Sequence, residues 1–105
     1  MIREPSLFIL TALTVSPLHG YAIVRRVEQL SEGRIRLRAG TLYAALDRLV
    51  REGALVPDGD ETVDGRRRRL YRLTAAGRAE LQGAATRLAA NAALAHDALA
   101  RTGGR

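Results

Sequence analysis

Cysteine and lysine are absent from this chain of 105 residues, and long apolar runs are missing as well. The absence of cysteine excludes disulfides, zinc sites with thiolate ligands and cysteine nucleophiles. The first apolar run, 7–15, is shorter than the roughly 20 residues that a membrane-spanning helix needs. It also lacks the cleavage pattern of a signal peptide. We therefore expect a cytoplasmic protein that has no membrane partner.

The basic residues are unusual because all 17 are arginines, and they outnumber the 11 acidic residues to give a net charge of +6. The planar guanidinium group suits bidentate contacts with phosphates and guanine edges. A solvated protein surface can also be rich in arginine, so the charge by itself favours nucleic acid without deciding the matter. At this length we expect one small domain.

Apolar spacing predicts helices in four segments. Pro5 suits the first turn of helix one, whose apolar side chains leave hardly any polar face, so that helix should be buried on more than one side. Helix two follows from the apolar spacing over 23–30 and stops near Gly33. Helix three covers 39–52, with Gly53 as its C-terminal stop.

Two shorter stretches predict strands. Ile35 and Leu37 alternate with arginines, which indicates a short strand. Asp64-Gly65 is a strong signal for a two-residue hairpin turn. Counting outward from this turn places Asp58 opposite Tyr71, and it also gives the pairs Val63–Arg66, Thr62–Arg67, Glu61–Arg68 and Asp60–Arg69.

This register predicts which hairpin arginines are neutralised. Acidic residues opposite Arg68 and Arg69 should form cross-strand pairs with them. Arg66 and Arg67, nearest the turn, have no carboxylate opposite and are the candidates for contact with a polyanion. Pro57 should lie on an edge strand, where its missing N–H does little harm.

The last helix, which Thr74 can cap, extends to about Ala100 and carries a narrow apolar seam. A long alanine-rich helix cannot bury both sides against so small a domain, so the seam predicts a homodimer. Helix one would pack between this helix and its counterpart in the partner. The predicted dimer residues are Leu7, Leu10, Leu81, Ala85, Leu88, Ala92, Ala95 and Leu99.

The order of these elements describes a mainly α fold with a small β hairpin. It is a winged helix-turn-helix followed by a long C-terminal dimerisation helix. We assign 1–73 to the DNA-binding domain, 74–101 to the dimerisation helix and 102–105 to a flexible tail. In winged folds the third helix enters the major groove, while the hairpin contacts the flanking backbone or minor groove.

Three separated motifs resemble the PadR family of bacterial transcriptional regulators: PLHGYAI (17–23), GTLYAALDRLVREG (40–53) and DGRRRRLYRLTAAGRAEL (64–81). The resemblance covers nearly the whole chain. It implies a winged-helix DNA-binding domain, a homodimer built by a C-terminal helix, and repression of nearby promoters. Ala44 departs from the proline that many relatives have there. The brief C-terminal part resembles the family's short form, which has a single C-terminal helix.

Helix three carries most of the predicted DNA contacts. Small residues at Gly40 and Ala44 would let its backbone approach base edges. The alternative is that Arg48 and Arg51 merely solvate the exposed face, and that Tyr43 is a partly buried flank residue. The predicted DNA-binding residues are Tyr21, Arg38, Thr41, Tyr43, Ala44, Arg48, Arg51, Arg66 and Arg67.

The function expected from these features is a homodimeric regulator, most often a repressor, that binds a pseudo-palindromic site in double-stranded DNA. It would be nucleoid-associated in the bacterial cytoplasm. An inducing small molecule, if one exists, would bind between helix one and the last helix. The alternative is a winged-helix module that binds an acidic protein partner. His19 is expected to be structural, and His96 has no second ligand nearby in the sequence. We therefore expect no metal, no cofactor and no enzymatic activity.

Overall fold

The computed structural model describes residues 2–103. Within that range the helices are α1 (Glu4–Ala12), α2 (Gly20–Leu30), α3 (Ala39–Arg51) and α4 (Ala75–Thr102), and the strands are β1 (Leu18–His19), β2 (Leu55–Val63) and β3 (Arg66–Leu73). The strands form one antiparallel sheet in the order β1-β3-β2. The predicted winged helix-turn-helix with a long C-terminal helix is confirmed, and its sheet has one strand more than the hairpin.

A single hydrophobic core joins α1, α2, α3 and the sheet. Each helix contributes side chains at helical spacing, and the hairpin contributes the residues at its base. Burying a large aliphatic side chain stabilises the fold by roughly 1.5 to 3 kcal/mol, so a cluster of this size is the main favourable contribution. The buried side chains are Ile9, Leu10, Ala12, Leu13, Ile23, Val27, Leu42, Ala45, Leu46, Leu49, Ala54, Leu55, Tyr71 and Leu73.

The C-terminal stop of α3 is the glycine that the sequence predicts. Gly53 has a φ of 81°, a conformation that favours glycine because it has no Cβ. Its N–H donates to the carbonyl of Val50 at 3.0 Å, and the N–H of Ala54 donates to the carbonyl of Leu49 at 2.9 Å. These two bonds satisfy the last carbonyls of the helix and turn the chain into β2.

The prediction of a short strand at Ile35 and Leu37 is wrong, because this segment is a loop. The third strand is instead Leu18–His19, which pairs with Tyr71 and Leu70 of β3. β3 therefore has a neighbouring strand on both sides at Tyr71. The two apolar side chains of that loop are partly buried against the core, so their alternation reflects anchoring of the loop.

The hairpin turn is confirmed, with φ values of 52° at Asp64 and 76° at Gly65. The four predicted pairs from Val63–Arg66 to Asp60–Arg69 are also confirmed. Beyond them the prediction is wrong, because Pro57 and not Asp58 lies opposite Tyr71. An extra residue on β2 produces this bulge, and Gly59, with a φ of 75°, lies within it.

The first turn of α4 is fixed to the end of the α3–β2 connection. The Thr74 hydroxyl accepts a hydrogen bond from the Gly77 N–H at 2.9 Å, as predicted for a cap, and it lies 2.6 Å from the Gly53 carbonyl oxygen. A Cβ at Gly77 would clash with the Ala54 carbonyl. Helix α4 therefore begins in close backbone contact with the domain.

The rest of α4 leaves the domain. Ala84 is its last buried residue, and every residue from Ala85 to Gly103 is exposed. The described chain measures 62 × 27 × 22 Å, with its length set by this helix. None of the helices within 2–103 is long and apolar enough to cross a membrane.

Candidate nucleic-acid interface

One face of α3 is free of the core and carries most of the predicted contact residues. Leu42, Leu46 and Leu49 are buried, whereas Thr41 and Ala44 on the opposite side are exposed. The predicted residues that are exposed, on α3 and elsewhere, are Tyr21, Arg38, Thr41, Tyr43, Ala44, Arg51, Arg66 and Arg67.

Small residues keep the first turns of α3 open. No atom lies within 4 Å of the position that a Cβ would take at Gly40. Ala44, one turn later, adds only a methyl group to the same face. Arg38 precedes the helix and makes no side-chain cap, so the first N–H groups of α3 donate no hydrogen bond to its side chain. Such a helix start has a partial positive charge that favours an anion.

Two grooves border the exposed face of α3. A groove of about 650 Å³ separates it from the start of α1 and is lined by Arg3, Thr41 and Ala44. A second groove, of about 470 Å³, separates it from the hairpin and is lined by Asp47 and Arg69. Arg51 lines both grooves. Its side chain therefore occupies the centre of a surface that α1, α3 and the hairpin build together.

Arg48 differs from Arg51 because it is held against α1. Its guanidinium donates to the hydroxyl of Ser6, a buried residue of α1, and its Nε lies 3.9 Å from Glu52 Oε2. Arg51, in contrast, is exposed and has no carboxylate within 4 Å among residues 2–103. Arg48 is therefore partly engaged within the chain, and Arg51 is the more exposed of the two.

Tyr43 lies across the start of α2. A Cβ at Gly20 would be 2.7 Å from the Tyr43 hydroxyl oxygen, so a side chain at position 20 would require the tyrosine to shift. The side chain is still 46% exposed. The structure thus combines the two interpretations of Tyr43, as a flank residue of the α2–α3 contact and as a residue of the exposed surface.

The start of α2 carries the other tyrosine. His19 is buried, and its Nδ1 accepts the Ala22 N–H at 3.2 Å, so it caps the helix as a structural residue. Tyr21 is 56% exposed beside it. The guanidinium carbons of Arg25 and Arg68 each lie 5.8 Å from the centroid of the Tyr21 ring. Three charged or aromatic side chains therefore converge at one corner of the α3 surface.

The charges of the hairpin are paired differently from the prediction. Arg67 Nε lies 4.0 Å from Asp60 Oδ2, a diagonal neighbour, and Arg72 Nε lies 3.6 Å from Asp58 Oδ2. Neither Arg68 nor Arg69 has a carboxylate within 4 Å in the part of the chain that the structure describes. The counting assumed directly opposite pairs, whereas the long side chains reach diagonal positions and the bulge displaces Asp58.

Several residues near this surface were not predicted as contacts. Some line the grooves beside α3, and others surround Tyr21. The pairing of β1 with β3 brings the start of α2 beside the hairpin, and the strand that we predicted at 35–37 gave no indication of this proximity. These additional residues are Arg3, Arg25, Arg68 and Arg69.

The residues predicted for a dimer divide into three groups. Leu10 is fully buried in the core of the single chain, so its side chain is not available to a partner. Leu7 and Leu81 are partly buried, and Leu81 packs against the chain's own core. The exposed members are Ala85, Leu88, Ala92, Ala95 and Leu99.

No group of three or more side chains within 2–103 could hold a metal ion. His96 lies on the exposed part of α4.

The sequence has curated relatives among bacterial proteins. It is 50% identical over 54 residues to the Transcriptional regulator Rv3488 of Mycobacterium tuberculosis, an alignment that covers 51% of this chain and 50% of that protein. It is 39% identical over 80 residues to an uncharacterized 37.1 kDa protein in transposon TN4556 of Streptomyces fradiae, covering 76% of this chain and 21% of that protein. The chain thus spans half of the first relative and about a fifth of the second.

Solved structures share the fold. A PadR family transcription regulator from Clostridium difficile superposes with a TM-score of 0.75 at 23% identity, covering 90% of this chain and 96% of that one. A PadR-like transcription factor from Bacteroides fragilis gives a TM-score of 0.68 at 28% identity, with 88% and 87% covered. Bacillus subtilis PadR, solved in complex with operator DNA, gives a TM-score of 0.67 at 23% identity, covering 77% of this chain and 47% of that one.

The sequence also matches the Transcriptional regulator PadR-like family over residues 9–83, which is most of the chain. This match includes α2, α3, the whole sheet and the first turns of α4. The family consists of transcriptional regulators and not of enzymes, in agreement with the prediction. The motifs, the winged fold and this match lead to one conclusion: the chain belongs to the PadR-like family of transcriptional regulators.

Proposed function

We propose that this regulator acts as a homodimeric repressor that binds a pseudo-palindromic site in duplex DNA through α3 and the hairpin. The observation that carries the proposal is the exposed face of α3, where Arg51 lies between two grooves that other arginines also border. Clustered arginines attract the phosphates of DNA and displace its condensed counterions. Bacillus subtilis PadR, which has this fold, was solved with operator DNA.

In this proposal Thr41 and Ala44 approach base edges while Arg51 contacts a base or a phosphate. A helix fits the major groove of DNA, and small residues allow its backbone to come close. Tyr21 and Arg38 contact the backbone beside the helix. Arg66 and Arg67 reach the flanking DNA from the hairpin, with Arg66 the stronger candidate because Arg67 lies near Asp60.

The dimer is proposed from the exposed part of α4. Leu88 is 52% exposed and Leu99 is 65% exposed, on a helix that protrudes from the domain. A second copy of this helix would cover both leucines and place two α3 helices on one duplex. The corresponding division is a DNA-binding domain over 1–73 and a dimerisation helix over 74–101. A ligand that changes the dimer geometry would release the DNA.

The alternative function is binding of an acidic protein by the same surface. Asp47 on α3 and the acidic residues of β2 lie close to the arginines and would repel carboxylates and phosphates alike. The open start of α3, with Gly40 and Ala44, favours a groove in DNA over a protein surface.

Protection mapping on bound genomic fragments tests the proposal. We expect two protected half-sites whose centres lie about 34 to 36 Å apart on one face of the duplex. Arg51→Ala should remove the protection, whereas Arg101→Ala should not, because Arg101 pairs with Asp97 on α4 away from α3. Absence of any protected fragment, with the protein folded and dimeric, would contradict the proposal.

The hairpin is tested by the salt dependence of binding. Replacing both Arg66 and Arg67 by alanine should weaken binding to all DNA sequences. The slope of log affinity against log salt should fall by about one to two units, since each lost phosphate contact lowers it by about 0.9. An unchanged slope would remove the hairpin from the proposed interface.

A further inference from the structure

A third groove on this surface lies beside the start of α2 and contains an arginine, Arg68, whose Nε has no hydrogen-bond partner among residues 2–103. The groove has a volume of about 270 Å³ and is bounded by α2, the start of α3 and β3. Its walls include Val24, Leu37 and Leu42, and its polar side chains are Tyr21, Tyr43 and Arg68. It therefore combines apolar walls with one full positive charge.

The Arg68 guanidinium is not fully hydrogen-bonded within residues 2–103. Its Nε is buried and has no hydrogen-bond partner among residues 2–103. Although Glu61 lies opposite Arg68 in the β2–β3 register, no carboxylate in that range is within 4 Å of its guanidinium. A buried donor without an acceptor is rare in folded proteins because it lowers stability. An arginine in this state is a candidate for an anionic ligand from outside.

The Tyr21 ring holds this arginine in place. The Arg68 guanidinium carbon lies 5.8 Å from the ring centroid, within the range of a cation–π interaction. Arg25 lies at the same distance from the same ring. Two cations therefore surround an exposed tyrosine whose hydroxyl can donate a hydrogen bond. Phosphate, which carries a full charge and several acceptor oxygens, suits both kinds of donor.

We propose that Arg68, with Tyr21 and Arg25, forms a binding site for one phosphodiester of the DNA backbone, and that the adjoining groove receives its sugar. This inference rests on the proposed DNA-binding function and adds a site to it. Tyr43 and Ala39 of α3 line the same groove, so the proposed phosphate site adjoins the helix that would enter the major groove. The apolar walls lower the local dielectric constant and so strengthen the attraction between the guanidinium and the phosphate.

The site links the hairpin to α2. Arg68 belongs to β3 and Tyr21 to α2, so one phosphate would fix the orientation of both elements on the DNA. Such a contact would position the protein without distinguishing between base sequences. It would therefore contribute equally to the affinity for specific and for non-specific DNA.

The test compares Arg68→Met with Arg72→Met. Methionine keeps length and removes charge, and Arg72 is a matched control because it lies on the same strand but is paired with Asp58. For Arg68→Met we expect an affinity about 10-fold lower on any duplex and a salt slope smaller by about 0.9, as for one lost phosphate contact. Arg68→Lys should retain the slope, and Arg72→Met should change affinity less than about 2-fold, as a paired surface arginine does.

A duplex with a single neutral methylphosphonate identifies the phosphate directly. The methylphosphonate is placed at each position of the site in turn. At one position per half-site it should weaken DNA binding by the wild type without further weakening DNA binding by Arg68→Met. The midpoint of thermal unfolding should be unchanged or higher in Arg68→Met, because the variant removes an unsatisfied buried donor.

Two results would overturn the inference alone. One is equal salt slopes for Arg68→Met and Arg72→Met in a protein that still protects its DNA. The other is a lower unfolding midpoint with an unchanged slope, which would make Arg68 a structural residue. A wild type that binds no duplex, or that binds an acidic peptide in its place, would overturn the proposed function together with this site.

Discussion

The two ends of α4 have the same alanine-rich composition but opposite environments. At the first end, Gly77 lies against the Ala54 backbone and Ala84 is buried. At the other end, Leu88 and Leu99 are both more than half exposed. Isolated helices gain little stability from propensity alone, and most of it comes from packing of one face. The first end has that packing within the chain, and the second end lacks it.

The comparison shows that one face of α4 packs on the domain at the first end of the helix and is uncovered at the second. Gly77, Leu81 and Ala84 are spaced at four and three residues and face the chain's own core. The same spacing continues through Leu88 and Ala95, where no part of the described chain covers it. A stripe that continues beyond its own domain is what a second copy of the chain would complete.

The largest effect on stability is expected in the core of the domain to which the first end of α4 is attached. Leu46→Ala removes a fully buried side chain from the core beneath α3. It should lower the free energy of unfolding by about 2 to 5 kcal/mol, as large-to-small substitutions in cores do. Denaturant titration at one protein concentration measures this loss. Leu94→Ala is the control, because Leu94 is 70% exposed and should change stability far less. Equal losses would contradict the assigned core.

A smaller effect is expected where α4 joins the domain. Thr74→Ala removes the cap on Gly77 and the hydroxyl contact with Gly53, so it should cost about 1 kcal/mol of folding free energy. Thr86→Ala is the matched control, since that hydroxyl only bonds the Gln82 carbonyl within the exposed helix. If thermal unfolding shows the same midpoint for both variants, the cap does not hold the helix to the domain.

The smallest effect is expected at the far end of α4. Asp97 and Arg101 form an exposed pair one turn apart, with 3.0 Å between Oδ2 and Nη2. Asp97→Asn should lower helix stability by no more than about 0.5 kcal/mol, and salt should reduce the difference further. Circular dichroism at low and high salt measures it. A loss of stability comparable to that of Leu46→Ala would contradict the assignment of this end as an exposed helix stabilised only by contacts within itself.

The sequence predicted the elements whose signals are local. Periodic leucines place α3, Gly53 ends it, and Asp64-Gly65 forms the turn, because each depends on residues close together in the chain. The third strand was missed since Leu18–His19 is too short for a pattern and is defined only by its pairing with β3. The hairpin register failed at Gly59, where the bulge inserts a residue that counting from the turn does not include.

The candidate surface was predicted in outline but not in its pairings. The exposed side of α3 followed from its periodicity, whereas the contact of Arg48 with Ser6 joins residues 42 positions apart. The position of Arg68 beside Tyr21 likewise depends on how α2 meets the sheet. The partner that a long side chain contacts depends on the tertiary arrangement of the elements, whereas periodicity predicts only the helix face on which the residue lies.

The central claim is that two copies of this chain join through the exposed part of α4 and so place two α3 helices on DNA. Sedimentation equilibrium of Leu88→Arg tests it, with Ala90→Arg as control because Ala90 is exposed on another side of the helix. We expect a dimer for the wild type and for Ala90→Arg. For Leu88→Arg we expect a folded monomer that binds a two-half-site duplex about 100-fold more weakly, because it loses the second linked half-site contact. A Leu88→Arg protein that remains dimeric would contradict the account.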